Sequence, residues 1–302
     1  MAGPKLRAFR ERLLLRALRV VAAIGRRIPL RAGQKFGSAI GLLAYFAARR
    51  DHVKAIENMR VAFPEWSDTQ RRHTTRAMFR HLGTSLFEVV WLPNLPPNAT
   101  TFEGLDRVLE IARSGRPVVA FTGHCGNWEW LAYSVAKTGA AVTVLQRERP
   151  EAGLNQFITS IRKKAGIDTI DRGSTATARE LIRAMRKPGF TAFLIDQSIR
   201  AESAQVPFFG KPALTPIGPA TLAIRMGAVA VAAFIERRPD GSHLVRVLEP
   251  IETTRDDDPI ALTARMTHEI ENQIRRVPEQ WVWMHDRWRD RPKWDVARRD
   301  QE

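Results

Sequence analysis

The sequence holds one cysteine, Cys125, among 302 residues. That count excludes a disulfide framework and any cysteine-built metal site, and it suits a reducing compartment. Long hydrophobic runs are missing as well. The least polar window, Gly37 to Ala48, falls well short of the ~20 apolar residues that a membrane-crossing helix requires. The N-terminus is basic, but Arg breaks up its apolar residues, so no cleavable signal is expected. No serine sits in a nucleophile elbow. Aromatic–basic stacking platforms and groove-reading motifs for nucleic acid are also lacking, as are internal repeats.

Basic charge is what the sequence has in excess, with 48 Lys and Arg against 32 Asp and Glu, a formal net charge of +16. It is unevenly distributed. Residues 1–80 carry 18 basic and 5 acidic side chains, a net +13, which leaves only +3 for the rest. Over residues 6–28, Phe9, Leu13, Leu14, Ala17, Leu18, Val21 and Ile24 recur at helical spacing. Arg12, Arg16, Arg19 and Arg26 share another face of that helix. Pro29 ends it, and Gly37–Ala48 offers a second, mostly apolar helix before Arg49 and Arg50. A basic amphipathic helix beside a short hydrophobic one suits an anchor on an anionic membrane surface. The plainer reading is a solvated Arg face on a helix packed against the body. Nucleic acid is the rival partner for so basic a chain, but the basic cluster also carries much apolar surface, which favours lipid.

Organisation changes near residue 98. Before it the pattern is helical and basic, with residues 65–92 reading as a helix pair that ends at the Pro93–Pro97 breaker cluster. After it, strand-length apolar runs at 117–122, 141–146, 190–195, 228–235 and 243–248 alternate with helical segments. The helical segments are 128–137, 151–165, 174–187, 215–226 and 260–276. This alternation predicts an α/β body with a central sheet flanked by helices. Three stretches follow: membrane-associating helices at 1–50, a helical lead-in at 51–97, and the α/β body at 98–302.

Candidate chemistry centres on Phe121-Thr-Gly-His124-Cys-Gly-Asn-Trp-Glu129-Trp130, which leaves the first strand and opens a helix. The spacing His-x4-acid is weak alone. About 0.7 chance matches are expected, and three occur: His52/Glu57, His124/Glu129 and His285/Asp290. Residues five apart on a continuous helix point about 140° apart, which argues against His52. His124 instead lies in a turn flanked by Gly123 and Gly126, where the chain can bend to bring a loop His to Glu129. Such turns at strand ends are where α/β proteins place sites. A neutral imidazole can take a hydroxyl proton, and a carboxylate on its other nitrogen fixes the tautomer. Direct attack by a bound hydroxyl is then simpler than a covalent intermediate. Cys125 is the alternative nucleophile, or a small apolar filler.

The spaced set formed by His124-Cys-Gly-Asn-Trp-Glu-Trp130, Ile161-Arg162-Lys-Lys-Ala-Gly166, Asp196-Gln197 and Val206-Pro-Phe-Phe-Gly210 resembles the lipid A biosynthesis lauroyl/myristoyl acyltransferase family. Glu57-Asn58-Met59, Ala62-Phe-Pro-Glu65 and Pro278-Glu-Gln-Trp-Val-Trp-Met-His285 extend the resemblance over most of the chain. The family lies in the lysophospholipid acyltransferase-like superfamily. The resemblance implies a glycerolipid acyltransferase-like fold with a mixed sheet. It also implies acyl transfer from an acyl-carrier-protein or CoA thioester to a glycolipid hydroxyl, with neither metal nor cofactor. The reaction would take place at the cytoplasmic face of the inner membrane, with the enzyme peripheral or monotopic. His124 matches the family's general base, Glu129 its charge partner, Arg162 its arginine and Asp196 its "DQ" acid. The sister branch that acylates phosphatidylinositol mannosides has Ser after the His and Asp closing the motif. Cys125 and Glu129 lean toward the lipid A branch.

Further candidate substrate contacts are Gly126 and Asn127 in the turn, Arg147 and Arg149 after a strand, and Phe208 and Phe209 along an acyl groove. Arg162 is expected to bind a phosphate of acceptor or donor. Asp196 is expected to orient Arg162 or substrate, or to cap a turn. Trp281, Trp283, Trp288 and Trp294 suit either a membrane-interface belt or a C-terminal segment packed on the body. Phosphatidylinositol mannoside or lysophospholipid acyl transfer, and a non-catalytic lipid-binding protein, are the alternative functions.

Overall fold

From residue 100 onward, short apolar runs become strands of one sheet with helices on both faces. The computed structural model describes residues 16, 23, 25, 27–89, 91–92, 95–147, 152–172, 176–199 and 201–288; the side chains of 97, 147 and 152–156 lie outside that description. Most of the expected 6–28 helix, together with Arg149 and Trp294, lies outside the described residues.

The strands are β1 (Thr100–Glu103), β2 (Val118–Thr122), β3 (Val142–Arg147), β4 (Ile167–Arg172), β5 (Phe190–Leu194), β6 (Ser203–Phe208), β7 (Lys211–Pro216), β8 (Val229–Arg237) and β9 (His243–Val247). Seven of them form the sheet in the order β1-β9-β8-β2-β5-β3-β4, while β6 and β7 form a separate hairpin. All sheet pairs are parallel except β8 with β9, so the sheet is mixed. The hairpin corrects the expected helix at 215–226, which begins only at Gly218, with Pro219 in its first turn. Proline is tolerated there because the first helical N–H groups have no partner within the helix.

The helices are α1 (Leu30–Ala47), α2 (Arg49–Ala62), α3 (Asp68–Glu88), α4 (Leu105–Arg113), α5 (Trp128–Ala136), α6 (Ala152–Lys164), α7 (Thr177–Met185), α8 (Gly218–Met226) and α9 (Pro259–Arg276). The expected helix pair at 65–92 is a single helix, α3. Its start is set by a capping box in which the Ser67 hydroxyl accepts from Gln70 N and the Gln70 side chain accepts from Ser67 N. Alternation along each strand then divides the core into two. Val119, Phe121, Phe193, Ala230, Ala232 and Phe234 pack one sheet face against α8, α9 and the α2–α3 pair. Val118, Phe190, Val229 and Val231 pack the other face against α4 and α5. Each large aliphatic side chain so buried contributes roughly 1.5–3 kcal/mol.

Helices α1 and α3 meet through glycines. A Cβ on Gly83 would stand 2.2 Å from the Gly37 carbonyl oxygen, and one on Gly41 would stand 2.1 Å from the Phe79 carbonyl oxygen. Only backbone fits between them. The opposite face of α1 exposes Phe36 (55%), Ile40 (42%), Leu43 (69%) and Phe46 (65%) in one stripe. No helix among the described residues is long and apolar enough to cross a membrane. Gly83→Ala should lower the stability of the protein by about 1–3 kcal/mol through forced separation of α1 and α3. Urea unfolding of the purified variant measures this, and wild-type stability would show the contact to be slack.

Candidate functional site

Register places the site. Strands β2 and β5 are parallel neighbours, with Thr122 opposite Leu194. His124 and Asp196 each lie two residues beyond that pair, so both strands deliver their next residues to the same end of the sheet. The His124 ring accordingly directs Nδ1 at Asp196 Oδ1 at 2.7 Å, and the His124 backbone N–H donates to Asp196 Oδ2 at 2.7 Å. Trp281 Nε1 donates to the same Oδ2 at 2.7 Å. Asp196 is buried, and the His124 side chain keeps 21% exposure. Burial alone would raise the Asp196 carboxyl. The charge of His124 and hydrogen bonds from His124 and Trp281 outweigh it and hold the carboxyl well below the ordinary carboxylate range.

The expected partner of His124 was Glu129, and here the geometry differs. No hydrogen bond or ion pair joins His124 to Glu129 among the described residues. The Glu129 carboxylate is instead clamped by Arg162, with Nε to Oε2 at 2.9 Å and Nη2 to Oε1 at 2.5 Å. Arg162 Nη1 donates to Gln146 Oε1 at 2.5 Å. The cause is geometric: Glu129 lies in the first turn of α5, facing α6 and the end of β3, while the β5 loop already fills the Nδ1 side of His124. Asp196 therefore orients His124, and the expected orientation of Arg162 falls to Glu129. Three of the five N–H groups of Arg162 are committed among the described residues.

The turn itself is fastened from below. Gly126 adopts φ 63°, and a Cβ there would stand 2.0 Å from the Ile235 carbonyl oxygen. Its N–H donates to the Gln280 carbonyl at 2.7 Å. With His124 N–H given to Asp196, the amides of 124 and 126 are both engaged, so neither is free to donate to an oxyanion. Asn127 is buried: its Oδ1 caps α5 at Trp130 N, and its Nδ2 donates to Glu88 Oε2 at 2.9 Å. Gly126 and Asn127 thus shape the turn rather than face substrate. Phe208 and Phe209 are buried in the aromatic core with Trp281, Trp283 and Trp288, not along an open groove. Trp281 and Trp283 are fully buried, which settles them as packing residues. Arg147 ends β3, with its side chain outside the described residues. Burial and the charge of Asp196 push the Cys125 thiol well up, and a neutral buried thiol is a poor nucleophile. No cluster of three metal-ligating side chains occurs among the described residues.

Three neighbours escaped the sequence reading. His285 lies 5.6 Å from His124 between ring centroids, and its Nε2 meets Gln197 Nε2 at 2.5 Å. Burial, and then the charge on His124, lower its pKa. Trp128 packs edge-on against His124 at 4.9 Å. In the sequence, His285 stands out only as one of the three His-x4-acid matches and, like Gln197, within the segments quoted for the resemblance, with no role attached to either.

The family model described as bacterial lipid A biosynthesis acyltransferase matches residues 4–290. The chain belongs to that family, and it is an acyltransferase. Among similar proteins is the lipid A biosynthesis lauroyltransferase of Escherichia coli K12, 24% identical over 273 residues, or 88% of each chain. The lipid A biosynthesis palmitoleoyltransferase of the same organism is 27% identical over 263 residues, covering 85% of this chain and 84% of that one. A phosphatidylinositol mannoside acyltransferase of Mycobacterium tuberculosis is 25% identical over 193 residues, 61% of this chain and 58% of its own.

Because the folded pKa of Asp196 lies below its value in the unfolded chain, its contribution to stability is complete above about pH 4. That contribution is lost as pH falls toward the folded value. In this acyltransferase, unfolding free energy should fall more steeply below about pH 4 in wild type than in Asp196→Asn. Denaturation curves across the acid range test this, and parallel curves would contradict it.

Proposed function

We propose that the protein transfers a fatty acyl chain from an acyl-carrier-protein or CoA thioester to a hydroxyl of a membrane glycolipid. A lipid A precursor is the acceptor, and the cytoplasmic face of the inner membrane is the location. The observation that carries this reading is the His124–Asp196 pair at the mouth of the sheet. With Nδ1–H donated to a buried carboxylate, the other ring nitrogen, Nε2, presents its lone pair. It takes the acceptor hydroxyl proton as that oxygen bonds to the thioester carbonyl carbon. The carbon–sulfur bond breaks, and the proton passes from Nε2 to the departing thiolate. While Nε2 carries that proton, the imidazolium is stabilised by Asp196.

The first carbons of the acyl chain enter the apolar cavity between the sheet and α5. Ala120 and Ala192 oppose each other across β2 and β5 and leave this space beside Leu131, Ala132 and Val144. Trp128 and Thr122 line its end nearest His124. Arg162, held open by Glu129 and Gln146, offers its remaining N–H groups to a phosphate of acceptor or donor. The lipid A acceptor is favoured over a phosphatidylinositol mannoside because the lipid A relatives match a larger share of the chain.

The exposed stripe of α1 supports residence on the membrane. Phe36, Ile40, Leu43 and Phe46 are bracketed by exposed Arg31 and Lys35 at one end and Arg49 and Arg50 at the other. That arrangement lets the apolar residues enter an interface while the basic ones meet anionic headgroups.

His124→Ala should lower acyl transfer by about 10²–10⁴-fold in a chain that still folds, with a melting point lowered by the lost donor to Asp196. Turnover is read by mass spectrometry of the acceptor lipid, and one added acyl chain in wild type identifies the product. Wild-type turnover by the variant would remove His124 from the mechanism. Replacing Phe36, Leu43 and Phe46 together by Ser should abolish sedimentation with anionic vesicles. Undiminished binding would place the membrane contact elsewhere.

A further inference from the structure

Beneath the His124 turn lies a buried ionic cluster that the reaction does not consume. Glu88, at the end of α3, is fully buried. Its Oε1 accepts from Gln34 Nε2 of α1 and from Arg237 Nε of β8, both at 2.8 Å. Its Oε2 accepts from Asn127 Nδ2 at 2.9 Å and from Arg237 Nη2 at 2.6 Å. Arg237 also meets His81 Nδ1 and Ser85 Oγ of α3. The backbone of Arg237 exchanges two hydrogen bonds with the Gln280 side chain, and the Gln280 carbonyl accepts from Gly126 N–H. Two routes therefore lead from Glu88 to the turn, one through Asn127 and one through Arg237, Gln280 and Gly126.

We propose that Glu88 is a positioning residue that ties the seating of α1 on the membrane to the geometry of the His124 turn. The proposal rests on the lipid-facing reading of α1 and on His124 as the base. Three observations carry it. The carboxylate joins the helix with the exposed apolar stripe to the turn that holds His124. Gln34 lies on the packed face of α1, opposite Phe36, Ile40 and Leu43, so a displacement of α1 on lipid reaches Glu88 directly. The glycine contacts of α1 with α3 leave no slack to absorb that displacement. A buried carboxylate with four donors is also stiff, because a donor that leaves exposes an unsatisfied charge. Apolar packing would stabilise this region as well or better, and what an ionic cluster adds is orientation.

Glu88→Gln would leave Arg237 buried without a counter-charge and need not fold, so the test changes its partners. Asn127→Ser keeps an oxygen able to cap α5 but is too short to reach Glu88. Gln34→Met keeps the length and loses the donor. The full chain, labelled with 15N-histidine, is titrated with phosphatidylethanolamine–phosphatidylglycerol vesicles, and the His124 signals are identified by their loss in His124→Gln. Wild type should sediment with the vesicles and its His124 signals should shift. Both variants should still sediment; the shift should be lost in Gln34→Met and reduced in Asn127→Ser, which leaves the route through Arg237 and Gln280 intact. In turnover assays kcat should fall about tenfold in Asn127→Ser with KM unchanged. A wild-type shift in either variant, or no shift in vesicle-bound wild type, overturns the proposal while leaving the membrane reading intact. A wild-type chain that does not sediment overturns the membrane reading and the proposal together. Absence of acyl transfer by wild type contradicts the proposed donor and acceptor, and wild-type turnover by His124→Ala contradicts His124 as the base.

Discussion

A buried carboxylate must be matched by donors or it does not stay ionised. Asp196 meets that constraint with three hydrogen bonds, and much of the site depends on it. The His124 ring, the His124 backbone and the Trp281 indole all converge on one side chain. Together with Asp196 itself, they join three parts of the chain: the loop after β2, the loop after β5 and the C-terminal segment. The Trp281 backbone also bridges Cys125. This single charge therefore fixes the tautomer of His124, the path of its turn and the docking of the segment that carries Trp281 and Trp283.

Glu88 repeats the device one layer down. Burial acts to raise its pKa, while His243 and Arg237 hold it well below the ordinary carboxylate range. The two carboxylates sit on opposite sides of the 123–127 turn. One aims the imidazole and the other anchors the strand-to-helix bend. Between them the turn has little freedom, as the proposed role of His124 as a base requires. The third carboxylate, Glu129, has a different task. It is partly exposed and holds Arg162, so the acidic end of the His-x4-Glu pattern positions an arginine rather than His124.

Much of the architecture was legible in the chain. Apolar runs such as Val118–Thr122 and Val229–Ile235 are strand-length and buried on both faces, which is the mark of a central parallel strand. The helix expected at 260–276 is present, starting one residue earlier at Pro259 behind an Asp258 cap. The short strand β1, the partly exposed β4 and the β6–β7 hairpin were not legible. Their burial patterns lack the strong alternation or the continuous apolar run that separates a strand from a loop.

By itself, the sequence determined that the chain is α/β, that its basic charge belongs to the N-terminal quarter, and that His124 lies in a glycine-flanked turn. Those properties are local: composition, periodicity and the conformations glycine permits. The partner of His124 was not local. Glu129 is five residues away along the chain and Asp196 is seventy-two, yet strand order makes the distant residue the neighbour. Parallel pairing of β2 and β5 in register decides it, because hydrogen-bonded neighbours deliver their following loops to one point.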